Sequence, residues 1–502
     1  MKKNFIILKT KYKRVILLAK NIMIQGTGSS VGKSILTAAL CRIFKQDGYS
    51  VSPFKSQNMA LNSYVTEKGE EMGRAQVVQA EAAGIEPLVN MNPILLKPTS
   101  DIGSQVILMG RVHKTLTAAE YRKEVPNIKG IVKKAYNELD AKFDIIAIEG
   151  AGSPAEINLR ENDIVNMGLA EMVDSPVIIV GDIERGGVFA SIYGTIMLME
   201  PEERERIKGF IINKFRGDIE ILNPGIKMLE EKIHIPCLGV LPFEKLNIDD
   251  EDSVTTRFSN KKDNDINIGI IKLPFVSNFS DFTPLEMERR VSVRYITKKE
   301  DFDNIDFLII PGSKNTIKDM EYIIKSDLDK LIYKKHKEGI PIMGICGGYQ
   351  MLGEEIADPK HIESNMDRIN GLGLLKTKTT INEIKDTLRV TGILNGEKIT
   401  GYEIHMGRTE RFNCNPFIEL ENGKLDGAIN EKGTVYGTYL HGIFENDNFR
   451  RNLIDELIGK KGLEKDDERF SFKDIKENEY NKLADMTRKY LDMEKIEEIM
   501  EL

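Results

Sequence analysis

The chain has 502 residues, of which 41% are hydrophobic and 30% are charged, a composition that excludes gross disorder and fits roughly two to four globular domains. Its 71 basic and 78 acidic side chains give a formal net charge of −7, which excludes a general nucleic-acid binder, since phosphate contacts require a basic surplus. The four cysteines include no CxxC pair, so neither a disulfide framework nor a structural zinc site is expected. They indicate a reducing compartment, and we expect a cytoplasmic protein.

Residues 1–18 are predicted to form an N-terminal extension. They are basic, and Lys9, Lys11 and Lys13 interrupt the apolar core that a signal peptide requires. The sequence has no run of about 18 apolar residues, so neither a membrane span nor a membrane partner is expected.

Short apolar runs alternate with helical stretches over residues 19–243. The runs NIMIQG, FDIIAIEG, PVIIVGDI, GFIINK and CLGVLP are typical of strands buried on both faces. The stretch SILTAALCRIFKQDG, which follows the first of them, is typical of a helix. This alternation predicts a parallel sheet covered by helices on both sides.

The rest of the chain divides into three further segments. Residues 244–265 are polar and charged and are predicted to be a linker. Residues 266–450 contain a second alternating set, with the runs INIGIIKLP, DFLIIPGS, IPIMGICGG and TVYGTYLHG. Residues 451–502 are highly charged and predict a solvated helical tail. The predicted fold class is therefore α/β, with two doubly wound domains.

The first predicted strand leads into the glycine-rich loop GTGSSVGKS, which precedes the helix. Glycines allow backbone N–H groups to surround phosphates, and a helix N-terminus favours negative charge. We expect Gly26 and Gly32 to shape this ATP-binding loop, although five residues separate them, one more than in the usual pattern. Lys33 is predicted to reach the β- and γ-phosphates, and the Ser34 hydroxyl is predicted to bind Mg²⁺.

A magnesium site also needs a carboxylate opposite the loop. Glu149 and Asp182 each end an apolar run, at the edge where parallel sheets bind ligands, and Glu149 is the preferred metal ligand. Lys55, which follows the strand VSPF, is predicted to bring a second positive charge to the ATP phosphates. Gly28 stands where partition-type switch ATPases have an additional lysine, which argues against a switch ATPase.

In the second half, a predicted strand runs into GICGG and then a helix. The small flanking residues permit the sharp turn of a nucleophile elbow, which presents the Cys346 thiol at a helix N-terminus. We predict Cys346 as the nucleophile and His441 as its base, with His405 as the rival base. The backbone N–H groups of Gly312 and Gly347 are the predicted oxyanion hole.

Together the two motifs predict a synthetase that makes its own ammonia. Glutamine would acylate Cys346 and release ammonia, while ATP bound at Lys33 would activate a carboxylate as an acyl phosphate. Ammonia would then displace phosphate and convert the carboxylate into a carboxamide.

The strings GICGGYQMLG and YLHGIFE resemble a class I glutamine amidotransferase domain, and GTGSSVGKS resembles the loop of dethiobiotin synthetase-like ATPases. With PFKSQNMALNSYVT, EGAGSPAEINL, DIERGGVFAS, NKFRGD, PGSKNT and GYEIHMGRT, the chain resembles the cobyric acid synthases of cobalamin biosynthesis from about Ala19 to about Asn446. This resemblance implies catalytic roles for Cys346 and His441. It also implies that glutamine and MgATP are used to amidate the b, d, e and g carboxylates of a corrinoid, adenosylcobyrinic acid a,c-diamide, with no tightly bound prosthetic group.

The sequence departs from the related enzymes in two places. Most class I amidotransferases have HxE, but Ile443 stands two residues after His441 and Glu445 is four residues away, so no third catalytic residue is assigned. The resemblance begins only near residue 19, so residues 1–18 are predicted to reflect an upstream start.

Two alternative functions remain open. Cobyrinic acid a,c-diamide synthase has the same two modules, although the string SQNMALNS favours cobyric acid synthase. A non-catalytic P-loop switch that binds a partner is disfavoured by the elbow around Cys346. The sequence does not indicate the oligomeric state, and four basic residues are candidate contacts for the substrate carboxylates: Lys55, Arg74, Lys97 and Arg160.

Overall fold

The computed structural model describes residues 18–98, 103–248, 263–465 and 470–502. Nearly all of the predicted N-terminal extension and most of the predicted linker therefore lie outside the described residues. Within these ranges, no helix is both long enough and apolar enough to cross a membrane.

The first half contains, in chain order, β1 (Lys20–Gly26), α1 (Lys33–Gln46), β2 (Val51–Phe54), β3 (Gln57–Met59), β4 (Ser63–Val65), β5 (Glu71–Gly73), α2 (Arg74–Ala83), β6 (Ile94–Pro98), β7 (Gly103–Leu108), β8 (Arg111–Thr117), α3 (Ala118–Asp140), β9 (Ile145–Glu149), α4 (Met167–Met172), β10 (Val177–Asp182), α5 (Val188–Met197), α6 (Pro201–Arg204), β11 (Ile207–Phe215), α7 (Ile219–Ile233) and β12 (Cys237–Pro242).

The second half contains β13 (Ile266–Ile271), α8 (Thr283–Glu286), β14 (Val291–Ile296), β15 (Phe307–Ile310), α9 (Thr316–Lys325), α10 (Leu328–Lys337), β16 (Ile342–Ile345), α11 (Gly347–Leu352), β17 (Glu355–Ala357), β18 (Arg368–Asn370), β19 (Thr377–Leu394), β20 (Glu397–Arg411), β21 (Ile418–Leu420), β22 (Leu425–Asp426), β23 (Ala428–Ile429), β24 (Val435–Thr438), α12 (Asp447–Lys460), α13 (Phe472–Tyr490) and α14 (Met493–Met500).

A six-stranded parallel sheet forms the centre of the first half, in the order β12-β11-β10-β1-β9-β2. Its central strands are apolar and buried because hydrophobic clusters pack on both of its faces. The predicted parallel sheet and its five predicted strands are confirmed. Since β1 lies between β9 and β10, the loop that follows β1 meets the ends of both neighbours at one edge of the sheet.

A second, smaller sheet in the first half was not predicted. It has the order β3-β6-β7-β8, with β6, β7 and β8 antiparallel to one another. The helix α3 follows it directly and begins with a capping box, in which Thr117 and Glu120 exchange hydrogen bonds. This sheet and the start of α3 form the walls of a cavity described below.

The second half is built on another six-stranded sheet, in the order β14-β13-β15-β16-β24-β23. All of its pairings are parallel except that of the edge strand β23. A further sheet, β18-β17-β19-β21-β22, carries the long β19–β20 hairpin. In the main sheet Ile345 pairs with Thr438, so the residues that follow β16 and β24 lie at the same edge.

The C-terminal helices pack back onto the first half, so the prediction of a solvated tail is wrong for this part of the chain. Tyr480, Leu483 and Ala484 of α13 are buried in the cluster that contains the apolar face of α1. Arg42 of α1 also forms an ion pair with Glu477, with an N–O distance of 2.7 Å. The apolar residues occupy one narrow helical face, which the many charged neighbours hid in the sequence pattern.

Candidate active sites

The loop between β1 and α1 makes a tight turn. Gly32 has a φ of +103°, and a Cβ there would overlap the side-chain amide of Asn213, so only glycine fits. The Lys33 ammonium donates hydrogen bonds to the carbonyl oxygens of Gly28, at 2.9 Å, and Gly152, at 3.0 Å. This lysine therefore lies across the loop at the carboxyl edge of the sheet, where a phosphate-binding lysine is needed.

Glu149, the last residue of β9, is the centre of a buried polar cluster beside the loop. Its Oε1 accepts hydrogen bonds from the Ser34 hydroxyl, at 2.8 Å, and the Lys55 ammonium, at 2.9 Å. Its Oε2 accepts a hydrogen bond from Gln79 Nε2 at 2.6 Å. The structure thus brings the predicted residues together and adds Gln79, which sequence reasoning missed because a glutamine within a helix has no local signature.

The Ser34 hydroxyl and the Glu149 carboxylate are hard oxygen ligands of the kind that Mg²⁺ prefers. The described ranges contain no group of three or more His, Cys, Asp or Glu side chains that could hold a metal ion by themselves. A metal ion at this position would therefore take most of its ligands from nucleotide phosphates and water, as Mg²⁺ does when it arrives with ATP.

Asp182, the alternative carboxylate, lies at the end of β10 on the other side of the loop. Its Oδ2 is 2.9 Å from Lys214 Nζ and 4.0 Å from Arg185 Nε. Lys214 also donates a hydrogen bond to the Ser30 carbonyl oxygen at 2.7 Å. Asp182 therefore holds a lysine against the loop, whereas Glu149 contacts the predicted metal-binding serine.

Cys346 forms a sharp turn between β16 and α11. Its φ of +50° and ψ of −106° are strained for a residue with a side chain, as expected of a nucleophile elbow. A Cβ at Gly348 would overlap the Ile310 carbonyl oxygen, and one at Gly344 would lie 2.5 Å from the Gly348 backbone, so the small residues are sterically required. The thiol is buried, with Sγ 3.7 Å from the Ile404 carbonyl oxygen.

The His441 imidazole is held by a carboxylate that the sequence did not reveal. Its Nδ1 lies 2.7 Å from Asp281 Oδ2, and Asp281 Oδ1 accepts a hydrogen bond from the Gly442 N–H at 2.9 Å. Both side chains are buried. Asp281 therefore favours the proton on Nδ1. The other ring nitrogen, Nε2, has no hydrogen-bond partner of normal geometry within the described part of the chain.

Two neighbouring groups raise the pKa of His441. Burial of the imidazole acts to lower the pKa, but the Asp281 carboxylate and the Cys346 sulfur outweigh burial and raise it to about 10. The raised pKa favours the protonated imidazole at neutral pH.

Asp281 was missed because it lies 160 residues before His441, in the short turn Phe279–Phe282 after β13. No third residue was assigned from the sequence, because Ile443 replaces the glutamate of the HxE motif, and only the folded chain shows Asp281 beside His441. Glu445, the acid nearest to His441 in the sequence, instead pairs with Arg74 of the first half at 3.4 Å.

The rival base, His405, has different partners. Its ring stacks on Tyr439 with the centroids 3.7 Å apart, and its Nδ1 is 2.8 Å from the Gly407 carbonyl oxygen. Its Nε2 lies 3.9 Å from Glu403, beyond hydrogen-bond distance, whereas His441 Nδ1 lies 2.7 Å from Asp281. The structure therefore favours His441 as the candidate base.

The two predicted oxyanion glycines lie where two turns approach each other. A Cβ at Gly347 would lie 2.8 Å from the Ser313 backbone nitrogen, and one at Gly312 would lie 3.2 Å from His441 Cε1. Gly347 begins α11, where backbone N–H groups have no partner within the helix. Both glycines therefore lie beside the Cys346 and His441 pair.

The turn that carries Asp281 is bound directly to the first half of the chain. Asn278 Nδ2 donates a hydrogen bond to the Ser63 carbonyl oxygen at 2.9 Å, and the Ser280 hydroxyl donates one to Asn62 Oδ1 at 3.0 Å. Asn62 and Ser63 belong to the string SQNMALNS. This segment therefore connects the half that contains the phosphate loop to the turn that orients the histidine.

Two family profiles match the two halves of the chain. One is described as the CobQ/CobB/MinD/ParA nucleotide binding domain and matches residues 22–255, which include the phosphate loop. The other is described as the CobB/CobQ-like glutamine amidotransferase domain and matches residues 267–449, which include Cys346 and His441.

Curated relatives named cobyric acid synthase match nearly the whole chain. The protein of Alkaliphilus metalliredigens is 54% identical over 500 residues, which cover 95% of this chain and 99% of the relative. Those of Clostridium acetobutylicum and Streptococcus sanguinis are 55% and 53% identical, and they cover 95% and 96% of this chain and 98% and 99% of their own lengths. Because one family accounts for both sites and for the segment that joins them, the chain belongs to the cobyric acid synthases.

Proposed function

We propose that the enzyme uses glutamine and ATP to amidate the b, d, e and g carboxylates of adenosylcobyrinic acid a,c-diamide. The observation that carries the proposal is that one chain holds both the buried Cys346–His441–Asp281 arrangement and the phosphate loop with Lys33 and Glu149. Ammonia released at the first site is the nucleophile that an amide synthetase needs at the second.

At the glutaminase site, the Cys346 thiolate attacks the side-chain carbonyl carbon of glutamine, and the N–H groups of Gly312 and Gly347 stabilise the oxyanion. Protonated His441 gives its proton to the departing nitrogen, so ammonia leaves and a glutamyl thioester remains. The neutral imidazole then takes a proton from water, whose oxygen hydrolyses the thioester to glutamate and restores the thiolate. Asp281 keeps the imidazole oriented through both steps.

At the phosphate loop, Lys33 binds the ATP phosphates while an oxygen of the substrate carboxylate attacks the γ-phosphorus. ADP leaves, and an acyl phosphate forms. Ammonia attacks the carbonyl carbon of this acyl phosphate, phosphate leaves, and one proton is released as the carboxamide forms. Ser34 and Glu149 would hold the Mg²⁺ of MgATP, which neutralises phosphate charge when bound, and Lys55 acts on this site through its ion pair with Glu149.

The same proposal includes the location of the enzyme and the choice between the two related synthases. The four cysteines are all free, which supports a cytoplasmic, reducing location. The near-complete coverage by relatives named cobyric acid synthase supports that activity over that of cobyrinic acid a,c-diamide synthase.

The substrate assignment is tested by giving the purified enzyme ATP, glutamine and one of two corrinoids. We expect mass spectrometry to detect new amides on adenosylcobyrinic acid a,c-diamide. Turnover of the unamidated cobyrinic acid alone would identify an a,c-diamide synthase instead and overturn the assignment.

Replacement of Asp281 by asparagine is expected to reduce glutamate release by roughly 10²–10⁴-fold, because the imidazole loses the carboxylate that holds its tautomer. The variant also lacks one of the two groups that raise the His441 pKa to about 10. The pKa of His441 in the folded protein should therefore fall, and the alkaline limb of the pH–rate profile should move to lower pH. Initial rates of glutamate release between roughly pH 6 and 11 would measure this shift.

Glu445→Gln is the matched control for this prediction, since it removes the acid nearest to His441 in the sequence, one that pairs with Arg74. Ammonia-dependent amidation should persist in the Asp281→Asn enzyme. Equal losses of glutaminase activity in the two variants, or an unshifted alkaline limb in Asp281→Asn, would be incompatible with the role given to Asp281.

A further inference from the structure

A mostly apolar cavity of about 580 Å³ lies beside the phosphate loop. Its walls come from β3, β6, β7, the start of α3 and the loop that follows β9. Gly152 belongs to that loop, and its carbonyl oxygen accepts the hydrogen bond from Lys33 at 3.0 Å. The cavity therefore shares a wall with the ATP site.

Apolar side chains on two walls of this cavity are exposed to solvent. Met59 at the end of β3 and Leu159 in the loop after β9 are each 55% exposed, although both line the cavity. Behind them, Leu96 and Val106 form a buried apolar floor. Exposed apolar groups that converge on one concave surface are typical of a ligand site.

Polar groups at the cavity can bind carboxylates and amides. Arg160 lies 2.6 Å from Glu200 and 3.3 Å from Glu203, and Arg122 lies 3.8 Å from Glu161, in partly exposed ion pairs of the kind that contribute little free energy. Asn166 also lines the cavity, and its buried Oδ1 accepts no hydrogen bond within the described ranges. The cavity lining thus combines apolar walls, two guanidinium groups and a buried amide acceptor with four carboxylates, of which Glu161 and Glu203 are paired with these arginines.

We propose that this cavity binds the corrinoid, with the ring face against Met59 and Leu159 and one peripheral carboxylate directed toward Gly152 and the γ-phosphate near Lys33. The inference rests on the proposed function and adds the place where its substrate binds. A corrinoid is a flat macrocycle with apolar faces and a periphery of carboxylates and amides. Apolar contacts are non-directional, so they hold the ring without dictating which edge faces the ATP, as amidation at several positions requires.

This assignment changes the set of basic residues expected to contact the substrate. Of the four predicted from the sequence, Arg160 lines the cavity. The other three are buried in ion pairs with glutamates: Lys55 with Glu149, Arg74 with Glu445 and Lys97 with Glu71.

A larger cavity, of about 700 Å³, lies beside Lys20 and Arg206. Lys20 begins β1 and Gly26 ends it, so this second cavity lies at the amino edge of the parallel sheet. Ligands of such sheets bind at the carboxyl edge. The cavity beside Gly152 is therefore the one that brings a substrate carboxylate to the phosphate loop.

Leu159→Asp and Met59→Asp test the assignment, with Ile157→Asp as the matched control. Ile157 is 53% exposed and lies on the same loop as Leu159, but outside the cavity lining. Because all three side chains are exposed, the substitutions should leave the fold intact. Equilibrium dialysis with adenosylcobyrinic acid a,c-diamide should show binding weakened about tenfold or more in each cavity variant and unchanged in the control.

The other possible outcomes distinguish failure of the cavity assignment from failure of the proposed function. Unchanged corrinoid binding in both cavity variants, or an equal loss in Ile157→Asp, would overturn the cavity assignment and leave the proposed function standing. If the unaltered enzyme neither binds nor amidates the corrinoid, the proposed function fails and the cavity assignment fails with it.

Discussion

The Cys346→Ser enzyme is expected to lose glutamine-dependent amidation by about 10³-fold or more while retaining amidation driven by added ammonium. A serine hydroxyl is not ionised at neutral pH, so the elbow holds no nucleophile that can form the acyl-enzyme at a useful rate. The phosphate loop lies in the other half of the chain and keeps its contacts between Ser34 and Glu149. Parallel assays of amide formation with glutamine and with ammonium show whether the first activity is lost while the second is kept.

Cys414→Ser is the matched control, because Cys414 lies in the same half, is partly buried and has its Sγ 3.5 Å from the Lys376 carbonyl oxygen. This variant should retain both activities. A Cys346→Ser enzyme that still uses glutamine would refute the thioester mechanism, and so would one that loses both activities together while remaining folded.

The Lys33→Met enzyme should lose amidation but keep glutamine hydrolysis, the reverse of the result expected for Cys346→Ser. Amidation should fall about 10²–10³-fold with either nitrogen source, because the ammonium that lies across the loop no longer stabilises the charge of the transferring phosphoryl group. Glutamate release, which depends on Cys346 and His441, should continue. The measurements are ATP-dependent amide formation with each nitrogen source and glutamate release in the absence of corrinoid.

Lys208→Met is the control for this variant, because Lys208 is an exposed lysine on β11 of the same sheet. Its amidation rate should stay close to that of the unaltered enzyme. Amidation that survives in Lys33→Met, or that falls equally in Lys208→Met, would exclude the phosphate loop as the place of carboxylate activation.

Short-range patterns predicted the features that depend on neighbouring residues. The central strands are continuous apolar runs because they are buried on both faces, and such runs can be recognised in the amino-acid sequence. The left-handed turn at Gly32 and the elbow at Cys346 both require small residues at set spacings. The glycine-rich loop, the sharp turn at Cys346 and the main sheets could therefore be predicted from the sequence.

Features that depend on distant segments could not be predicted in the same way. Asp281 reaches His441 only after β13, β16 and β24 are assembled in one sheet. Gln79 reaches Glu149 because α2 packs against α1 and β2, the strand that pairs with β9, and neither residue carries a local signal of that contact. The cavity lined by Leu159 likewise arises from loops and strands that are separate in the chain.

The central claim is that one chain transfers the amide nitrogen of glutamine to a corrinoid carboxylate at the expense of ATP. Incubation of the purified enzyme with adenosylcobyrinic acid a,c-diamide, ATP and glutamine labelled with ¹⁵N in its amide group, followed by mass spectrometry, measures this directly. We expect ¹⁵N in every new carboxamide, with one ATP hydrolysed to ADP for each amide formed. Consumption of glutamine and ATP without transfer of ¹⁵N to the corrinoid would contradict the account.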